Sequence, residues 1–208
     1  MLCQNKSKNP LDKPCELLAP FALAVDQQDR IWVTSGFGAH VTRFPASDPT
    51  KAETFKAGFL GRGLAVDSLG NVWVTYKLGS ERGRLKQLEL IAACTVNLTG
   101  DPDALSRAGE VLVPAMAAQI SGWEGGSVTV FRPDGSEASF SPVYGKGITA
   151  PGAVSVDGYD NIWISNLSTS SAAIAELCGF RTENHPPGFK TRDAISPPGG
   201  YVIGSMQM

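Results

Sequence analysis

One phrase is written three times in this chain. FALAVDQQDRIWVTSGFG occupies residues 21–38, GLAVDSLGNVWVTYKLG residues 63–79 and GAVSVDGYDNIWISNLS residues 152–168. The shared frame is small–x–Val–Asp–x–x–(Gly/Asp)–x–(Ile/Val)–Trp–(Val/Ile)–(Thr/Ser). Asp26, Asp67 and Asp157 each stand six positions before a tryptophan, at Trp32, Trp73 and Trp163. Self-similarity of this kind marks a fold built from stacked copies of one supersecondary unit.

Each copy reads as a β-hairpin. In the second, Leu64 and Val66 alternate with Ala65, the period of a strand. Asp67-Ser68-Leu69-Gly70 fits a type I turn, with Asp first and Gly fourth. Gly70 suits the left-handed position of a bulged hairpin loop, and Asp29 and Asp160 take that place in the other copies. The second strands are Ile31–Thr34, Val72–Thr75 and Ile162–Ser165. They are apolar on both faces, as a sheet needs when it is sandwiched between two neighbours. More polar outer strands follow at VTRF (41–44) and SVTVFRPDGSEASF (127–140), the latter turning at Arg132-Pro133-Asp134-Gly135. About four short strands in 40–50 residues make one blade of a β-propeller. The small inner-strand residues (Ala22, Ala24, Gly63, Ala65, Gly152, Ala153) suit the crowded centre where blades converge.

A degenerate copy is read at AGEVLVPAM, residues 108–116, with Leu112 in the tryptophan slot; otherwise residues 80–124 are a long insertion within the second repeat. The fold expected is all-β, a partial propeller of about four four-stranded antiparallel blades, a fragment of a six-bladed ring. Residues 1–18 form a polar N-terminal segment, and 19–208 form one domain with repeats at about 19–60, 61–100, 101–150 and 151–208. Six blades of about 40–50 residues would need about 250–300, so truncation is the first explanation for 208, ahead of self-association or capping by the chain ends.

Composition narrows the function class. Apolar residues make up 42% and charged residues 18%, which suits a packed domain rather than a disordered chain. A net charge of −2 supplies no basic footprint for nucleic acid, and no apolar run approaches the roughly 20 residues of a membrane helix. MLCQNKSKNPLDKPCELLAP lacks the apolar core of a secretory signal. The chain therefore reads as cytoplasmic as written, or exported if its true start lies upstream. Cys3, Cys15, Cys94 and Cys178 form no CxxC pair, and zinc is disfavoured. Cys3 and Cys15 could bridge in an oxidising compartment.

The phrase G-x-A-V-D-x-x-G-N-V-W-V-T resembles the repeat of NHL-type propellers and, more closely, of the virginiamycin B lyase-like propellers. Their broader relatives are the six-bladed SMP-30/gluconolactonase-like propellers. The resemblance covers roughly residues 19–179. It implies the architecture more than an activity, because the repeat letters are scaffold letters. Lyases and lactonases of these families carry out metal-assisted chemistry at the channel mouth, with ligands from loops that vary between blades. A Mg²⁺ or Ca²⁺ ion would enter only with that reading; no cofactor is otherwise evident.

The repeated aspartates fall at the same turn of successive blades, so they cap turns rather than gather round a metal. The opposite rim is where a ligand would sit. Its residues are Ser35, Arg62, Tyr76, Pro151 and Asn166, with His40 a little further along. The set holds a cation, a phenol and an amide but no carboxylate, and His40 and His185 are the only imidazoles of the chain. Trp123, in SGWEGGS, is a candidate stacking surface. Candidate ligand-binding residues are thus Arg62, Tyr76, Asn166, Ser35, His40 and Trp123, with no metal-ligating set. The function expected is a non-catalytic module binding a small polar ligand, glycan or protein, with self-association through exposed blade faces. The alternative is a metal-dependent lyase or lactonase with part of its site in blades outside this chain.

Overall fold

A computed structural model of the chain describes residues 20–36, 40–78, 126–166 and 173–202, apart from the side chains of Phe59, Lys77 and Leu78. The N-terminal segment, Trp123, Cys3, Cys15, Cys94 and the degenerate copy at 108–116 lie outside the described residues.

Eleven strands form three antiparallel sheets among those residues. The first runs β1 (Pro20–Val25), β2 (Arg30–Ser35), β3 (His40–Pro45) and β4 (Glu53–Lys56), in that order across the sheet. The second comprises β5 (Phe59–Val66), β6 (Val72–Leu78) and β7 (Ser127–Phe131). The third comprises β8 (Pro151–Val156), β9 (Ile162–Asn166), β10 (Ala173–Leu177) and β11 (Tyr201–Val202). The first strand of every sheet is the small-residue half of the repeated phrase, and the second is its tryptophan half. Inner strand β5 lies between inner strands β1 and β8, so the sheets fan from a common line. They are successive blades of a β-propeller.

Strand β6 pairs with β7 from Val72↔Phe131 to Tyr76↔Ser127. The second blade therefore draws strands from both sides of the repeat boundary set at 100, and residues 79–125 fall between two neighbouring strands of one sheet. The RPDG turn closes as expected, Gly135 N–H donating to the Arg132 carbonyl at 2.9 Å. Beyond it this blade has isolated bridges, Phe131↔Glu137 and Val128↔Val143, instead of a continuous fourth strand.

The core lies between blades. Trp32 faces the second blade and packs with Leu64, Val72, Val74, Tyr76 and Phe131. Trp73, on the opposite face of the second blade, packs with Ile162, Ile164, Ala175 and Leu177 of the third. Val72, Trp73 and Val74 are all fully buried, which accounts for a strand apolar on both sides.

The hydrogen bonds explain the rest of the phrase. Each repeat aspartate accepts the indole N–H of the tryptophan six residues on, at 2.8 Å for Trp32, 3.0 Å for Trp73 and 2.8 Å for Trp163. The same carboxylates accept backbone N–H groups two and four residues on, as with Leu69 (3.0 Å) and Asn71 (2.8 Å) at Asp67. Asp29, Gly70 and Asp160 hold φ of 54°, 79° and 64°, the left-handed turn conformation expected of them. The Thr/Ser that ends the phrase meets a bulge. Register shifts interrupt each inner strand between 20 and 23, 61 and 64, and 151 and 154. The N–H freed there donates to the hydroxyl across the pair: Ala22 to Thr34 (3.0 Å), Gly63 to Thr75 (2.7 Å) and Ala153 to Ser165 (3.0 Å).

Candidate functional site

The register places Ser35, Arg62, Tyr76 and Asn166 at one end of the blades, opposite the Asp turns. Ser35 pairs with Pro20, Tyr76 with Gly61 and Asn166 with Pro151, each beside an inner-strand bulge. Gly61 is the packing point between two of these groups. A Cβ on it would stand 2.8 Å from Thr34 Cβ, 3.3 Å from the Ser35 carbonyl oxygen and 3.3 Å from Tyr76 Cε1. Only a residue without a side chain lets β5 approach both.

Ser35 and His40 are buried and bonded to each other, Oγ to Nε2 at 2.9 Å. Asn166 is also buried, but its amide serves the loop leading into β8. Its Oδ1 accepts the N–H groups of Thr149 (3.0 Å) and Ala150 (3.3 Å), and Nδ2 donates to the Gly147 carbonyl at 2.7 Å. One amide N–H remains to it.

Arg62 and Tyr76 differ from their neighbours in being unsatisfied. Among the described residues the buried Tyr76 hydroxyl has no hydrogen-bond partner, and neither has the buried Arg62 Nε. Burial, with a smaller contribution from Glu137, drives the Tyr76 phenol well above its ordinary range, so it is a neutral donor at physiological pH. Burial also lowers the Arg62 guanidinium, which stays charged nonetheless. That guanidinium lies over the Phe21 ring at 4.7 Å from the centroid, a cation–π contact. The other described arginines all reach an oxygen: Arg30 reaches Asp26, Arg43 Glu53, Arg132 Asn71, Arg181 Glu183 and Arg192 the Phe140 carbonyl. Arg62 alone among them has none.

Phe21 is the residue that reading the sequence missed. A signal was present: the aligned phrases put Phe21, Arg62 and Gly152 in one column, each within the bulge of its inner strand. His185 lies elsewhere, its Nε2 at 3.1 Å from the Gly179 carbonyl oxygen.

These groups do not suit a metal cation. Arg62 brings positive charge, the Asn166 carbonyl is engaged twice, and His40 is bonded to Ser35. Among the described residues no three His, Cys, Asp or Glu side chains converge, and no helix is long and apolar enough to cross a membrane. Among the described residues Arg62 is a guanidinium stacked on Phe21 whose Nε has no hydrogen-bond partner.

No protein-family model and no curated protein matches the chain. Solved structures similar in fold include virginiamycin B lyase from Staphylococcus aureus, 13% identical at TM-score 0.43, over 79% of this chain and 42% of that one. A catalytically inactive variant of that lyase with quinupristin is 10% identical at 0.40, over 84% and 43%. A nidogen/laminin complex is 13% identical at 0.44, over 85% and 52%. The chain thus spans about half the length of these proteins or less. Likeness at this level carries no residue roles across.

Proposed function

We propose that the chain is a propeller-type binding module, non-catalytic by itself, which holds a small polar ligand by an anionic group seated on Arg62. The observation that carries this is Arg62 at the blade end opposite the Asp turns, its guanidinium on Phe21 and with no oxygen partner among the described residues. A carboxylate or sulfate on the outer edge of this guanidinium would make the charge-assisted hydrogen bonds that a guanidinium favours. The ligand can be a free acid, an acidic sugar of a glycan or an acidic side chain of a protein.

Glucuronate, sulfate and glucose are the probes, read by thermal melting. A ligand bound only by the folded chain raises the midpoint. Glucuronate and sulfate are expected to raise it, glucose to leave it unchanged, and Arg62→Met to remove the anion response. An anion response that survives Arg62→Met contradicts the proposal, as does no response at all. The lyase or lactonase reading needs metal ligands from outside the described residues. A midpoint raised by Mg²⁺, Ca²⁺ or Mn²⁺ would favour it over simple binding.

A further inference from the structure

We infer that Leu60 is a positioning residue, whose strained backbone aims Arg62 across the blade junction onto Phe21. Leu60 thereby serves the Arg62 site proposed above; its functional meaning rests on that reading, though its geometry does not. Five described residues other than glycine hold a positive φ. Asp29 and Asp160 close the Asp turns, Lys146 sits in the Gly145–Ile148 turn and Arg192 in the Lys190–Asp193 turn. Leu60, at 58°, is the only one of the five inside a strand, as the second residue of β5.

That conformation is costly. The left-handed region brings Cβ against the following carbonyl oxygen, and a bulky residue there is an outlier. Leucine has no short polar side chain to offset the cost, as Asp has. The surroundings hold it in place. Tyr76 is the cross-strand partner of Gly61, and its fully buried ring lies along the backbone on either side of Leu60. A Cβ on Gly58 would stand 2.6 Å from Tyr76 Cγ, and one on Gly61 3.3 Å from Tyr76 Cε1. Leu60 itself is 4% exposed. Strain that the surroundings over-determine in this way gathers at ligand clamps.

The effect of the strain is visible one and two residues on. Gly61 comes to rest against the first blade, where a Cβ on it would stand 2.8 Å from Thr34 Cβ. Arg62 follows inside the bulge and lays its guanidinium over Phe21 of β1, 4.7 Å from the ring centroid. Phe21 and Arg62 belong to different blades, so their contact depends on the direction in which β5 leaves Leu60. The third blade is an internal comparison. Ala150 stands two residues ahead of Gly152, as Leu60 does ahead of Arg62, and it is not among the residues of positive φ. The strain accompanies the arginine and does not occur where glycine takes its place.

Proton nuclear magnetic resonance on the full chain tests this. A left-handed Leu60 gives a strong Overhauser effect between its own amide and α-protons, and the Phe21 ring current moves the Arg62 side-chain protons upfield. Both are expected. An extended Leu60, or Arg62 protons without the shift, overturns the inference, and these measurements on the unaltered chain decide even where a variant fails to fold. Two variants separate backbone from packing. Leu60→Gly removes the buried side chain but takes positive φ freely, and it is expected to keep the Arg62 shift. Leu60→Ile keeps the apolar volume, but its β-branch resists positive φ, and it is expected to lose the shift. The reverse order, or equal loss in both, means that Leu60 only fills the core and contradicts the inference. Glucuronate judges the ligand reading separately. Its rise in melting midpoint is expected to survive Leu60→Gly and to fall to the Arg62→Met level in Leu60→Ile. No glucuronate response in a chain that shows both proton signatures sinks the anion reading and leaves the aiming of Arg62 standing.

Discussion

Asp67 holds three things at once: the turn, the strand that follows and the indole between the blades. Its oxygens accept from Leu69 N–H, Asn71 N–H, Asn71 Nδ2 and Trp73 Nε1 within 3.1 Å, and it is 1% exposed. Asp67→Ala leaves several buried donors unpaired, each costing about 1–3 kcal/mol. The expected loss is about 3 kcal/mol or more of unfolding free energy, read from urea denaturation. Asp26 and Asp157 predict a pH effect. Burial raises both carboxyls, but the bonds from the tryptophan indole and the turn N–H groups outweigh it and hold them below the ordinary aspartate range. A carboxyl lowered on folding contributes stability above its unfolded value, about 3.9, and loses it as pH falls through the lower folded value. The urea midpoint is expected to decline below about pH 4, and Asp157→Asn to make that decline shallower. The turn-capping role of these aspartates was legible in the spacing alone. Their grip on the indole was not, because a six-residue separation says nothing of which way the ring points until the hairpin is closed.

At the scale of the strand, the inner strands meet so closely that side chains are excluded. A Cβ on Gly63 would stand 2.7 Å from the Gly152 carbonyl oxygen, 2.7 Å from Val154 N and 2.9 Å from Ala153 Cα, all backbone. Thr75 ties the same spot, donating from its hydroxyl to the Gly152 carbonyl. Gly63→Ala therefore forces two backbones apart and is expected to cost about 1–3 kcal/mol, the usual cost of overpacking. Gly158→Ala, with open space around it, is expected to be neutral or slightly stabilising; both are read by thermal melting. The hairpins at 20–35, 59–78 and 151–166 could be read from the sequence because their pairing is local. The pairing of β6 with β7 could not. It joins strands on either side of residues 79–125, a separation that no local pattern in the sequence announces. The bulges were also invisible, although the Thr/Ser ending each phrase was their trace.

Over the whole molecule, the account rests on the order β1–β5–β8 at the centre, with tryptophans filling the wedges between sheets. The rim followed from this in part. Ser35, Arg62, Tyr76 and Asn166 lie at the end opposite the Asp turns, the place expected for residues just past the tryptophan strands or ahead of the inner strands. Which of them is free depends on partners distant in sequence, such as the 147–150 loop that occupies Asn166. The most direct test is a nuclear Overhauser measurement across the inner strands. The account predicts cross-peaks from the Gly63 α-protons to the Ala153 α-proton and the Val154 amide, together with the Leu64–Val74 contacts inside the second sheet. Intact contacts within the sheet with none between Gly63 and residues 152–154 would contradict it.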